Sequence, residues 1–475
     1  MNATKSLLGE HLARLKWTPR ELARAINSWL EVRGRSAERI HPTTPYHWIS
    51  KGFCPYAPYP QIVAEVLSAA FGHAITAHVL WPDKAATVAN SPKTAANGLS
   101  ATWNADDVIA QISELAREHP DGMATVNGPD LVTPALDGIH HSPGKTAAGT
   151  VGGDRVRPAL MTLITRHIAE LRLLDDRAGG GALNLRYVHN ELHTVLDLLR
   201  NAACEADVHE RLLLATADLA QLSGWMHWDA GNHGIGQRYL LLAIRAARAA
   251  AESRRLELRT TATESTTNTL GMLAYQCAHT GRPADAVRLA EAATRLGRAT
   301  SSATRARLAG RLATAHAAAG DIHAFRDAAE QARRHLDDHR PDDAPPFLYY
   351  LNTEQLDAEA GQALVDLARH RPAESGKLLS ESVDLLTPLT STGLRTEYQR
   401  SALLHGCYLV QAHLHQHDLE AAVAATRKVT ERLAGVQSVR CQVLVRRLLR
   451  TFARRARNPY VADLLPELND ALNTA

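Results

Sequence analysis

Apolar residues recur at helical spacing from the start of the chain. Leu7, Leu8, Leu12 and Leu15 place a stripe on one face of a first predicted helix. Thr18-Pro19-Arg20-Glu21 combines an N-cap, a Pro at the first helical position and a Glu three residues on. It starts a second helix with Leu22, Ala23 and Ile26 on its core side. A short third helix is predicted from Thr43 or Thr44 to Lys51, polar on one side and closed by Gly52. Ile62, Val63, Val66 and Leu67 give a fourth, and Ile75, Val79 and Leu80 a fifth. From Asp83 to Asp154 the periodicity fades and Ala, Thr, Asn, Ser, Gly and Pro collect, which predicts a flexible linker. One short helix, 106–119, is expected inside it, because Val108, Ile109, Ile112 and Leu115 share a face. From about residue 155 to 475, amphipathic helices succeed one another between Gly, Asp, Pro and His turns.

The array has internal similarity. Ala274 to Ala293 resembles the tetratricopeptide pattern, in which a first helix ends at a Gly turn and a second carries small residues so that the two pack closely. With Gly281 as the turn, Leu270, Leu273 and Ala274 lie on the first helix and Ala286, Ala290 and Ala293 on the second. The same frame fits at Gly231, Gly320 and His417, and a weaker copy starts at His370. Successive turns are 39 to 50 residues apart, longer than the standard period of about 34, so the repeats are degenerate. Such hairpins bury their apolar faces by stacking into an α-solenoid that leaves a concave groove. The usual groove geometry would expose Gln221, Trp225, Trp228, Asn268, Met272, Tyr275, Arg307, Arg311, Gln411 and His415 to a peptide, protein or small ligand. For Trp225 and Trp228, hairpin core is an equal reading.

Composition agrees with an all-α fold: aromatic residues make up only 5% of the 475, and Ala and Leu outnumber the β-branched strand formers. The five cysteines are odd in number, far apart and form no CxxC pair, as expected of reduced thiols in a cytoplasmic protein. Lys5 and Glu10 leave no room for a signal-peptide apolar segment, and no stretch approaches a membrane span. Formal net charge is +3, yet residues 1–82 hold nine Lys and Arg against five Asp and Glu. That local excess is what phosphate binding requires.

Enzymatic signals are weak. Gly144-Lys145-Thr146 resembles the end of a phosphate loop, but the partner Gly is misplaced. His189 and His193 share a helical face without the Glu that a zincin needs after its first His. His413, His415 and His417 lack a third ligand nearby. No catalytic residue, cofactor or metal is expected. The run Arg440, Arg446, Arg447, Arg450, Arg454, Arg455 and Arg457 is expected to be a capping helix with a solvated basic face, or else a further DNA- or partner-facing patch.

The first five helices resemble the lambda-repressor-like, or Xre-type, helix-turn-helix domain. Trp48 matches the Trp near the end of that family's recognition helix, where it anchors the core. The resemblance implies that Thr44, Tyr46, His47 and Ser50 reach bases, and that Lys51 and Arg20 contact phosphates. Two departures stand out: about 17 residues, Asn27 to Thr43, replace a turn of three or four, and Ile49 follows the Trp where an acid is usual. Taken with Leu171 to Asp176, Gly179-Gly180, Gly224-Trp225, Asp229 to Gly231, Tyr239, Pro346 to Tyr350, Ser438 and Arg440, the chain resembles a wider family. It is the actinobacterial regulators, common in Streptomyces, that join an Xre-type helix-turn-helix to tetratricopeptide-like repeats. More distantly it resembles peptide-responsive sensors of Gram-positive bacteria with the same layout.

Three parts are therefore expected: a helix-turn-helix at 1–82, a linker at 83–154, and a repeat domain at 155–475. The resemblance implies a nucleoid-associated transcriptional regulator, in several members a negative one, of morphological differentiation and antibiotic production. It would bind double-stranded DNA as a homodimer paired through the repeats. The alternative is an adaptor that binds no DNA and whose groove recruits another regulator.

Overall fold

The computed structural model describes residues 6–32, 39–50, 52–55, 59–71, 75, 77–81, 105–118, 123–140, 155–340, 344–391, 393 and 398–474. Every element in them is helical. The chain divides into two compact units, Met1–Asn97 with Pro120–Ala124, and Gly98–His119 with Thr125–Ala475.

The first unit contains α1 (Leu7–Leu15), α2 (Pro19–Val32), α3 (Pro45–Ser50), α4 (Tyr59–Phe71) and α5 (Ala77–Leu80). Ser6 caps α1 by accepting from the Gly9 N–H, and its hydroxyl donates to the Ile49 carbonyl at 2.6 Å, tying α1 to α3. Thr18 and Glu21 form the reciprocal capping box at the start of α2. Leu8, Leu12, Leu22, Ile26, Leu30, Trp48, Ile62, Val63 and Leu67 close one core. The extra residues after Asn27 first lengthen α2 by more than a turn. The Asn27 side chain then pins the returning backbone, its Nδ2 donating to the Ile40 carbonyl and its Oδ1 accepting from the Ile40 N–H, both at 2.9 Å.

The second unit begins inside the stretch expected as a linker. α6 (Ala105–Glu118) lies where 106–119 predicts a helix, and α7 (Pro129–His140) is a helix that the periodicity does not anticipate. Neither is a free tether. Val108, Ile112 and Leu115 of α6 and Leu131, Val132 and Ala135 of α7 are buried. The segment before α7 is also fixed: the Gln237 side chain exchanges two hydrogen bonds with the Val126 backbone, and the Gly128 N–H donates to Asp285. Pro134 inside the helix hides it from a periodicity reading.

α8 (Pro158–Ala178) and α9 (Ala182–Asn201) come next in the chain. Five helical hairpins succeed them: α10 (Ala206–Asp229) with α11 (His233–Ala250), α12 (Leu256–His279) with α13 (Pro283–Leu296), α14 (Ser302–Ala318) with α15 (Ile322–Asp337), α16 (Thr353–His370) with α17 (Ser375–Thr390), and α18 (Gln399–His415) with α19 (Leu419–Leu433). α20 (Val439–Ala453) and α21 (Pro459–Thr474) complete the unit. The five turns read from the sequence are where these hairpins bend. Gly231, Gly281 and Gly320 take φ of 85°, 76° and 77°, a left-handed conformation that costs a side-chain-bearing residue about 1 kcal/mol. His417 accepts that cost at φ 63°. Helices of a pair approach closely through small residues. A Cβ on Gly236 would stand 2.8 Å from the Gly224 carbonyl oxygen, and Ala286, Ala290 and Ala293 are buried.

The stack returns on itself. α8 packs against both α10 and α18. The Gln437 N–H, just ahead of α20, donates to the Ala178 carbonyl at 2.7 Å, and Arg440 of α20 pairs with Asp229 of α10 at 3.1 Å. The two ends of the expected groove are therefore joined within this unit. Most of its inner positions are buried, because charged side chains from both ends of the array meet there.

Candidate functional site

Two places gather polar chemistry, one in each unit. In the first, α3 buries Pro45 and Trp48, the indole lying against the Tyr59 ring at 6.0 Å. Tyr46 is 60% exposed, His47 and Ser50 are exposed, and Thr44 is half-buried in the turn that leads into the helix. Lys51 lies outside the described residues. An open cleft beside this turn is lined by Arg20, Arg24, Asn27, Arg39, His41 and Thr43. Arg39 pairs with Glu31 at 2.7 Å, and the His41 ring nitrogen meets the Thr43 hydroxyl at 2.8 Å. Arg20 and Arg24 are exposed, one turn apart on α2, and make no ion pair among the described residues. The clamp at Asn27 brings Arg39 and His41 to that cleft.

In the second unit a cavity of about 100 Å³ opens among α8, α10, α12, α14, α16, α18 and α20. Gln221, Trp225, Asn268, Met272, Tyr275 and Arg311 of the expected groove set line it. Most are buried, where a groove would expose them. Trp228 sits behind Trp225, ring centroids 4.9 Å apart, as hairpin core. Arg307 is fully buried in an ion pair. Gln411 and His415 lie away from the cavity, Gln411 accepting from Arg369 and His415 exposed. Their helix, α18, meets the cavity through Arg400, Ser401, Leu404 and His405, two to four turns earlier.

The cavity walls are a charge network. Arg307 Nη1 donates to both oxygens of Glu359 at 2.9 and 2.8 Å, and the Gln355 amide adds a third bond at 3.0 Å. Burial alone would raise the Glu359 carboxyl, but the Arg307 and Arg311 guanidiniums and these hydrogen bonds override it and hold it at about 2. Opposite, Arg400 pairs with Asp175 at 3.0 Å and with Asp176, which also accepts from the Tyr349 hydroxyl. Burial, reinforced by Asp176 and Asp229, pushes the Asp175 carboxyl up to about 7 against the pull of Arg400 and Arg440. Burial also lowers His279 and His405 to about 4, so both are neutral at ordinary pH. Trp225 is the hub: the guanidiniums of Arg311, Arg400 and Arg440 lie 5.9, 5.6 and 5.5 Å from its ring centroid.

Position-by-position reading missed Glu359, Arg400, Asp175 and Tyr349 as cavity residues. A signal for part of the set was present. Asp175-Asp176, Trp225, Asp229, Tyr349-Tyr350 and Arg440 all fall in the blocks that carry the resemblance to the actinobacterial regulators, and the fold converges them. Arg440, expected on a solvated basic face, is instead inside with Asp229. Arg446, Arg447, Arg450, Arg454, Arg455 and Arg457 are exposed.

A family model described as the SP15 N-terminal domain matches residues 8–80, the stretch that α1 to α5 occupy. No curated protein and no solved structure matches the chain. Among the described residues no helix is long and apolar enough to cross a membrane.

Proposed function

We propose that this chain is a cytoplasmic, sequence-specific transcriptional regulator, acting as a repressor in development or secondary metabolism. Its first unit is an Xre-like helix-turn-helix that reads double-stranded DNA. Its second is a tetratricopeptide-like array that pairs two chains and senses a ligand.

The observation that carries the reading is the outward edge of α3. A six-residue helix anchored by Trp48 offers Tyr46, His47 and Ser50 to solvent beside an arginine-lined cleft. Tyr46 and His47 then reach base edges in the major groove, while Arg20, with Arg24 and Arg39, engages phosphates. Pairing through the arrays raises the effective concentration of two weak modules on one operator. A ligand that prefers one arrangement of the array shifts operator occupancy by its differential affinity.

The test is genomic DNA capture with the purified full-length protein beside a Tyr46→Ala/His47→Ala variant checked for folding by circular dichroism. Shared-motif enrichment that the variant loses supports the reading. Arg20→Ala should retain the motif but flatten the log–log salt dependence of binding by about 1. Absence of enrichment for either protein overturns it in favour of an adaptor that binds another protein.

A further inference from the structure

Among the described residues, every guanidinium around the cavity but one has a carboxylate oxygen within 3.1 Å. Glu359 is committed to Arg307 and Gln355, Asp176 to Arg400 and Tyr349, Asp229 to Arg440, and Asp218 to Arg172. Arg311 is only 5% exposed, yet its nearest carboxylate oxygen, on Glu359, stands at 3.6 Å, and it makes no hydrogen bond among the described residues. Its guanidinium rests on the Tyr275 ring, 3.9 Å from the centroid, and its stem crosses Gly271, where a Cβ would meet it at 3.4 Å. Arg307, one turn away on α14, repels it. A buried cation without a hydrogen-bonded acceptor is costly and rare. Such a cation is available to an acceptor that enters the cavity.

A second group faces the same space. Asn268 lies on the stripe of α12 that includes Gly271, Met272 and Tyr275. It is 5% exposed, lines the cavity and makes no side-chain hydrogen bond among the described residues. A guanidinium fork and an amide that make no hydrogen bond among the described residues suit a single planar carboxylate, which a fork binds through two parallel hydrogen bonds. A phosphate dianion would need a second such cation, and every other guanidinium around the cavity holds a carboxylate within 3.1 Å. Beside the charge network, Trp225, Tyr275, Phe347 and Tyr350 give the cavity aromatic faces. At about 100 Å³ the space admits a compact ring and excludes a folded peptide segment.

We infer that the second unit binds a compact aromatic monocarboxylate, its carboxylate held by Arg311 and Asn268 and its ring against Trp225. This deepens the sensing half of the function proposed above. It is read by direct binding, so failure of DNA recognition would leave it standing.

Titration calorimetry and Trp fluorescence on the full-length protein, with benzoate, 4-hydroxybenzoate, benzamide and inorganic phosphate, test it. The acids should bind saturably with a Kd between about 10 µM and 1 mM, ordinary for so small a ligand. The neutral amide should bind at least about tenfold more weakly, consistent with loss of a charge-assisted pair. Arg311→Met should fold, melt no lower than the parent and lose the response. Asn268→Ala, which leaves the ion pairs in place, should weaken binding and carries the test if the first variant folds poorly. No saturable binding by either acid, equal binding of benzamide, competition by phosphate, or unchanged affinity in both variants would overturn the inference.

Discussion

Replacing Glu359 by Gln isolates the electrostatics that hold the cavity together. The substitution keeps shape and removes one charge, leaving Arg307 and Arg311 buried a turn apart with no carboxylate between them. The carboxyl sits at about 2 against an ordinary 4.5, roughly 2.5 decades of proton affinity. At about 1.4 kcal/mol per decade that is on the order of 3 kcal/mol of folding stability. Breaking a buried pair by removing one partner costs about 3–5 kcal/mol, so the two routes agree. The sign comes from the depressed value. The carboxylate's contribution is fully present above pH 4.5 and is lost as pH falls from there through about 2. Urea unfolding of the parent and of Glu359→Gln at pH 7, monitored by far-UV circular dichroism, should separate their midpoints by about 1 M. The gap should narrow as pH is lowered from 5 towards 2. Equal midpoints at pH 7, or a gap that persists undiminished into acid, would refute the reasoning.

Two further predictions concern the fold. Asn27→Ala should cost about 1–2 kcal/mol, the worth of two part-buried hydrogen bonds, and should speed hydrogen exchange in peptides covering Ile40 while leaving those of α12 unchanged. Gly236→Ala should destabilise the second unit by about 1–3 kcal/mol, because the new Cβ meets the Gly224 carbonyl oxygen at 2.8 Å and the backbone must shift. An unchanged melting midpoint for that variant would show that the α10–α11 approach can relax.

Local chemistry made the helices legible. The capping box at Thr18, the Gly turns at 231, 281 and 320, and the Ala stripe at 286, 290 and 293 are all short-range signals, and each appears where the spacing places it. Register within a hairpin was legible too, which is why Gln221, Trp225, Asn268, Met272, Tyr275 and Arg311 fall together. The failures share a cause. Whether an inner face is open or closed depends on residues far apart in sequence, and no periodicity links Asp176 to Arg400 or Asp229 to Arg440. For the same reason the sequence reads α7 as part of a linker: its apolar face is buried by α11 and α13, far along the chain.

The return of the array onto its own beginning changes what kind of object it is. In an open stack each hairpin touches only its neighbours, so units can fray from an end or be added by duplication with little effect on the rest. Here the Ala178 carbonyl, Asp175, Asp176 and Asp229 hold partners that arrive some two hundred residues later. Losing α20 would unmoor α8, and inserting one more hairpin would break the seam. Such contacts close large loops, which slows folding, and they tie the number of hairpins to the seam. Added length is then best tolerated in the turns and in stretches outside the closed stack.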